Sequence, residues 1–394
     1  MRINRLDCLA LGLALVAAPL GAAPCAQPGF DPKAWNDVPT PPIDAHDQKL
    51  IDFMHKPTWV DGTLQPDWQT DAIVIAHRDR IELEAYFNGY GPDKKHLLWS
   101  GTKSIFNALV GIAVADGKLD LNTSIADYMP RFAHLKDVKV DHFLSYSSGL
   151  DWRESYEEGL LPQQSSITGL LYGFGPRSIE RALEPYHPKY KPGTRWSYSS
   201  GDTAYLSVLL KKIYGLEYRD MPWKRLFEPL GITSAVLEAD AEGVYYGPSY
   251  GYMKARDFLR FGELYLHDGC VAGQALLPAK GSIPGFTHLS WTEFSMAPTE
   301  AILNRIQGKV PWPDQTGRHF WINLPRDASG KAPPYSNAPV NILIAMGHWG
   351  QRLYIIPAWN MVVVRLANDR TEEFWAEDNF FAKLASWREA KGFL

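Results

Sequence analysis

The hydrophobic pattern changes period several times along the chain. The stretch DAIVIAHRDRIELEAYF, residues 71–87, reads as two strands joined at His77–Arg80, a hairpin. From Ser104 to Ala115 nearly every position is apolar or small, and Asn107 is the one strongly polar residue. A helix that is apolar on every side is buried, whereas a surface helix shows a stripe. Gly117 follows Asp116 where such a helix would end in a left-handed residue. Residues 121 to about 240 mix helical runs with loops rich in Gly, Pro and Ser, and hold no long strand. KARDFLRFGELYLHDG (254–269) has helical spacing and stops at Gly269. NILIAMGHWGQRLYIIPAWNMVVVRLAND (341–369) predicts two further strands around a turn at Pro357–Asn360, and TEEFWAEDNFFAKLASWREAKG closes the chain as an amphipathic helix. The expected fold is therefore α/β. One antiparallel sheet is formed by both chain ends and flanked by helices, with a mainly helical region inserted at about 121–240.

Composition adds bounds to this picture. The 394 residues are 45% hydrophobic and 13% aromatic, enough for a large core. A net charge of −4 without a basic cluster argues against nucleic acid and against an electrostatic membrane anchor. The N-terminus, MRINRLDCLALGLALVAAPLGAAPCAQ, places Arg2 and Arg5 before an apolar stretch and then small residues. It reads as a signal peptide over 1–26, leaving a single domain over 27–394 in the periplasm or outside the cell. No later segment is long and apolar enough to span a bilayer. With at most Cys25 and Cys270 left after processing, no disulfide framework is expected.

The candidate chemistry begins in WSGTKSIFNALVGIAVADGKLD, residues 99–120. Ser100 sits at the head of the buried helix and Lys103 lies one turn on, so the ammonium can reach the hydroxyl. Burial strips the lysine of hydration and lowers its pKa, and the neutral amine can then take the serine proton. The purely structural alternative is an N-cap serine beside a lysine that snorkels to solvent. Acylation also needs a proton for the leaving group, which a tyrosine beside a lysine can supply. Three places match Y-x-[SN]: Tyr146–Ser148, Tyr198–Ser200 and Tyr335–Asn337. Tyr198 is preferred, because a tight turn precedes it and a helix with an apolar face follows. Gly247–Pro248–Ser249–Tyr250–Gly251 matches the nucleophile elbow G-x-S-x-G, but that elbow needs alternating β-α units, which are not visible here. Ser249 is therefore read as part of a pocket loop. Among eleven histidines there is no H-E-x-x-H, and C-x-x-C is missing, so neither a metal nor a cofactor is expected. Fourteen tryptophans are read chiefly as core.

The order of SGTKS, LSYSSGL, PGTRWSYSS, KARDFLRFGELYLHDG and GHWGQRLYIIP…NMVVVRL resembles the serine β-lactamase-like family. That family includes class C β-lactamases, DD-peptidases, esterases and 6-aminohexanoate-dimer hydrolases. The resemblance runs from about residue 70 to 370 and implies a β-lactamase/transpeptidase-like fold. It further implies Ser100 as nucleophile, Lys103 as its partner, Tyr198 as shared acid/base, and Ser200 as the third residue of Y-x-[SN]. LDWRESY is similar to the nylon-oligomer branch, where the tyrosine matching Tyr156 contacts the substrate amide. The family's third motif, K-T-G or H-x-G, can be read as His348–Trp349–Gly350. Counting back from Pro357 aligns Ala345–Met346–Gly347 instead. In that register no cation fills the first position, and the His348 N–H joins that of Ser100 as oxyanion donor. Trp349 beside it offers an apolar surface to the substrate. The resemblance thus implies acyl-enzyme hydrolysis of a small ester or amide, ahead of β-lactamase or DD-peptidase activity. A non-catalytic penicillin- or peptidoglycan-binding protein is the rival of another class, and it would have no use for Ser100, Lys103 and Tyr198 together.

Overall fold

The computed structural model describes residues 25–393, apart from 26, 36–37, 56–58, 61–62, 65–67, 157–164, 308–314, 326–331 and 371–375. The leader proposed for residues 1–26 lies, except for Cys25, outside the described residues.

The hairpin forms as expected. Strand β1 (Thr70–His77) and strand β2 (Arg80–Tyr86) are joined by Arg78 and Asp79, both at positive φ (49° and 60°). Two such residues in a two-residue connection match the right-handed twist of the flanking strands. Near the C-terminus the structure has three strands where two were predicted: β4 (Leu343–Gly347), β5 (Gln351–Ile356) and β6 (Met361–Ala367). The first predicted strand is broken because His348–Gly350 makes a tight turn, with Trp349 at φ 59°. A two-residue strand β3 (Trp321–Ile322) completes an antiparallel sheet of order β3-β4-β5-β6-β1-β2. Strand β6 from the end of the chain pairs along β1 from its beginning, so both chain ends build one sheet.

Side chains alternate between the two faces of this sheet, as the period of a strand requires. Ile73, Ile75, Tyr354, Ile356 and Val363 point to one face. There they pack on Leu50 and Met54 of helix α1 (Ala45–His55) and on Phe380 and Leu384 of the C-terminal helix. Val74, Ala76, Leu353, Ile355, Val362 and Val364 point to the other face, into the larger core. That core holds helix α2 (Thr102–Ala115), in which all residues from Thr102 to Val114 are buried. The inserted region centres on helix α3 (Ser200–Tyr214), surrounded by short helical turns. Helix α4 (Ala255–Leu266) lies on β5, β6 and β1. The C-terminal helix, α5, spans Glu377–Ala390.

Asn107 explains how a polar residue is tolerated inside α2. Its Oδ1 accepts from Tyr265 (2.5 Å), Trp291 (2.8 Å) and Ser295 (3.2 Å), and its Nδ2 donates to the Arg318 carbonyl (2.8 Å). Buried polar atoms cost little when they are bonded.

Cys25 is joined to Cys270 by a disulfide across 245 residues of sequence. This corrects the expectation that the chain carries no disulfide framework, since the two cysteines form one bridge. The pairing was not legible, because nothing local brings two single cysteines that far apart together. Processing after residue 26 would discard Cys25, so the bridge requires a mature chain that starts at or before it. Among the described residues, no helix is long and apolar enough to cross a membrane.

Candidate active site

Ser100 lies in a single helical turn, Trp99–Gly101, that runs into α2. Trp99 has φ 49°, a strained value for a bulky residue, and the Leu98 N–H is held by the Gly251 carbonyl at 2.8 Å. Lys103 follows one turn later on the same face and is almost fully buried. Its ammonium donates to Ser100 Oγ at 2.8 Å and to the Pro248 carbonyl at 2.8 Å. Burial lowers the Lys103 pKa to about 8, while the negative charge of Glu154 opposes the shift. The segment with the elbow-like pattern is thus the loop that holds the lysine. Pro248 receives Lys103, the Ser249 carbonyl accepts from Thr102 Oγ1 (3.2 Å), and the Gly251 N–H returns to Thr102 Oγ1 (3.0 Å).

Tyr198 comes from the opposite side, just before α3. Its hydroxyl hydrogen-bonds Ser100 and its ring lies under the Lys103 ammonium, 5.1 Å from nitrogen to centroid. Burial and the charge of Glu154 push the phenol well above its ordinary pKa. Tyr146 stands behind Tyr198 with ring centroids 4.9 Å apart, so two of the three Y-x-[SN] matches meet in one place. Tyr335 is elsewhere, against Phe381 on the opposite face of the sheet. Ser200 is fully buried in the first turn of α3, and its hydroxyl and N–H both donate to Glu154 (2.6 and 2.8 Å). Glu154 also accepts from Trp152 Nε1 at 2.6 Å.

On the third side, β4 ends against the serine turn. A Cβ on Gly347 would fall 2.1 Å from the Leu98 carbonyl, so only glycine lets the strand approach this closely. Ala345, Met346 and Gly347 lie on the strand itself, and His348 and Trp349 form the turn beyond it. The His348 ring stacks on Tyr156 (5.0 Å, 14°) and meets Trp99 edge-on at 5.5 Å. Burial and then Arg370 lower the His348 pKa. Trp349 packs edge-on against Trp99 at 5.2 Å. Arg370, in the segment after β6, lies flat on the Trp349 ring, 3.3 Å from its centroid. In the register Ala345–Met346–Gly347 the third motif has no cation, and Arg370 brings one to the edge of the loop from elsewhere in the chain.

Two further groups escaped the sequence reading. Glu154 sits two residues before Tyr156 in LDWRESY, where it was legible only as an unassigned acid. His319 is buried beneath the lysine, with Nδ1 3.2 Å from the Lys103 carbonyl and Nε2 3.3 Å from Thr203 Oγ1. A carbonyl only accepts, so Nδ1 carries the proton and Nε2 accepts from the threonine. Burial and the nearby lysine lower the His319 pKa to about 3, which keeps the ring neutral.

This geometry brings a hydroxyl, a partly neutral amine and an un-ionised phenol within reach of one another. A model of the family described as Beta-lactamase matches residues 60–386. The 6-aminohexanoate-dimer hydrolase of Paenarthrobacter ureafaciens is 24% identical over 212 residues, which are 52% of this chain and 54% of that protein. The chain thus spans about half the length of this curated relative. Among solved structures, a provisionally named 6-aminohexanoate-dimer hydrolase from Bacillus anthracis superposes with a TM-score of 0.67 at 20% identity, covering 93% of this chain and 90% of the other. EstCE1, a hydrolase with promiscuous acyltransferase activity, has a TM-score of 0.61 at 17% identity, covering 81% and 94%. The fold is that of the β-lactamases and penicillin-binding proteins, and the chain belongs to the beta-lactamase family of serine hydrolases.

Proposed function

We propose that the protein hydrolyses small carboxylic esters or amides, of the short-chain ester or 6-aminohexanoate-oligomer type, through an acyl-enzyme on Ser100. The observation that carries this reading is the 2.8 Å contact between Ser100 Oγ and a buried Lys103 whose pKa is lowered to about 8. Neutral Lys103 takes the Ser100 proton as Oγ attacks the carbonyl. Tyr198, which stays protonated, delivers a proton to the departing alkoxide or amine and is restored from Lys103. The Ser100 and His348 N–H groups face the developing oxyanion. Water then cleaves the acyl-enzyme by the same groups in reverse. Tyr156, stacked on His348, is placed to contact the scissile group, with Trp349 beyond it as an apolar wall. Ser200 acts through Glu154, which it holds beside Lys103 and Tyr198.

β-Lactamase or DD-peptidase activity is the second reading, and Arg370 is the observation that favours it. In the register counted back from Pro357 the family's cation position is taken by Ala345, however, and an exposed guanidinium is a weak partner for a carboxylate. Export from the cytoplasm, through a leader ending before Cys25, is part of the same proposal and is supported by the disulfide.

The test compares kcat/KM for p-nitrophenyl butyrate, a linear amide oligomer, a D-Ala-D-Ala peptide and nitrocefin, with Ser100→Ala as background. The best ester or amide should exceed nitrocefin by about two powers of ten. A nitrocefin value equal to or above it restores the β-lactamase reading. Fluorophosphonate labelling should fall on the Ser100 peptide, and labelling at Ser249 would overturn the nucleophile.

A further inference from the structure

In the last turn of α4, Glu263 presents a problem. Its side chain is fully buried, and neither carboxylate oxygen has a hydrogen-bond partner. A buried carboxylate without a partner is costly, and such groups are normally paired, protonated or bound to a metal. His267 Nε2 lies one helical turn on, at 3.7 Å. That same nitrogen is 2.6 Å from Oδ1 of Asp79, in the turn between β1 and β2. One ligand atom from each of the three residues lies within 4.8 Å of the other two.

We propose that Asp79, Glu263 and His267 form a binding site for a divalent transition-metal ion of the zinc class, which clips the β1–β2 turn to the C-terminal end of α4. Ligand atoms held at about 2.0–2.2 Å from a tetrahedral ion stand roughly 3.3–3.6 Å apart, so the observed 2.6 and 3.7 Å, and a third separation within 4.8 Å, are reached by side-chain shifts of about an ångström. Two carboxylate oxygens and one imidazole are the borderline donor set that this class of ion takes. The pair Glu263 and His267 is spaced i, i+4, which puts both on one face of the helix. Asp79 is two-fifths exposed, which leaves an entry path and a position for water. The backbone around the ligands is held in turn. The Asp79 carbonyl accepts from Trp35 Nε1 at 2.7 Å, and the His267 carbonyl accepts from the Cys270 N–H at 3.0 Å. No local motif announces the site, because Asp79 and His267 are 188 residues apart in sequence.

The alternative occupant of the space is a proton. Burial pushes the Glu263 carboxyl well above the usual carboxylate range, and a proton on it would remove its charge without any ion. Untagged, chelator-treated protein decides between them when titrated with ZnCl2 by calorimetry and followed by thermal unfolding. The proposal expects one equivalent of Zn2+ to bind and to raise the unfolding midpoint. Glu263→Gln and, separately, the surface variant Asp79→Asn should each weaken binding at least tenfold. Ester turnover should be unchanged in both variants, since none of the three residues touches the serine site. Co2+ should give d–d absorption bands in the wild type that Glu263→Gln loses. Failure of Zn2+ to bind in stoichiometric amount, or equal binding by the wild type and both variants, overturns the proposal.

Discussion

Lys103 is where sequence, burial and chemistry meet most tightly. Its pKa near 8, against 10.5 for a free lysine, makes it a base that is only partly deprotonated at neutral pH. The rate of Ser100 acylation should therefore rise about tenfold per pH unit below 8 and level off above it. A flat profile between pH 6 and 8 would remove Lys103 as the base. Lys103→Arg should abolish acylation, because arginine is not deprotonated in proteins. The same shift is a stability statement. Between pH 8 and 10.5 the unfolded chain binds more protons than the folded one, so stability rises with pH in that window, and below it the buried ammonium costs about 3 kcal/mol. Lys103→Met should accordingly be inactive yet unfold at a higher temperature than the wild type at pH 7. Glu154 acts on the same equilibrium with the opposite sign. Its charge raises the lysine pKa, so Glu154→Gln should move the acid limb of the profile to lower pH while reducing kcat. A limb that stays in place would show that Glu154 serves only to hold Ser200. Ser100, Lys103 and Tyr198 were legible because their spacings are local or sit beside turn residues. Glu154 and His319 were not, since their partners lie 46 and 216 residues away.

At the scale of elements, α2 was legible for a simple reason. Only a helix buried on every side can be apolar on every side, and the structure buries it from Thr102 to Val114. Its exception, Asn107, is the element's weak point. Asn107→Ala would leave the Tyr265 hydroxyl, the Trp291 indole N–H and the Arg318 carbonyl without this partner in the core. A loss of about 3 kcal/mol or more in denaturant unfolding is expected, and a loss under about 1 kcal/mol would mean that water replaces the side chain. The strands around the third motif were harder to read. Trp349 adopts a left-handed conformation without being Gly or Asn, so the turn carried no residue signal at its centre. Strand β3, at two residues, is too short to show a period. What did carry information was Gly347, although its meaning emerged only in three dimensions. Gly347→Val would push β4 off the Leu98 carbonyl and move His348, the proposed oxyanion donor, away from the serine turn. The variant should lose at least a hundredfold in kcat with KM little changed, with kcat referred to the folded fraction counted by fluorophosphonate titration, because partial unfolding alone would also lower the apparent kcat at constant KM.

At the scale of the whole molecule, the sheet that unites both chain ends was legible from where the strand-like segments fall, while the covalent link between residues 25 and 270 was not. The disulfide ties the N-terminal segment to the end of α4, where Phe30 also packs and its N–H is held by the Cys270 carbonyl at 3.2 Å. Closing a loop of 245 residues restricts the unfolded chain far more than it changes the folded one. By the entropic argument the bridge is worth up to about 5 kcal/mol, and measured losses on removing native disulfides run at about 2–5 kcal/mol. None of the elements that position Ser100, Lys103 or Tyr198 contains either cysteine. Cys270→Ser should therefore lower the unfolding midpoint by several degrees while leaving kcat/KM on the best ester unchanged. If the proposed leader directs export, protein recovered from the periplasm should retain Cys25 and weigh two hydrogens less than its reduced form. A mature chain that begins after Cys25, or an unfolding midpoint indifferent to reduction, would show that the bridge plays no part in the working enzyme.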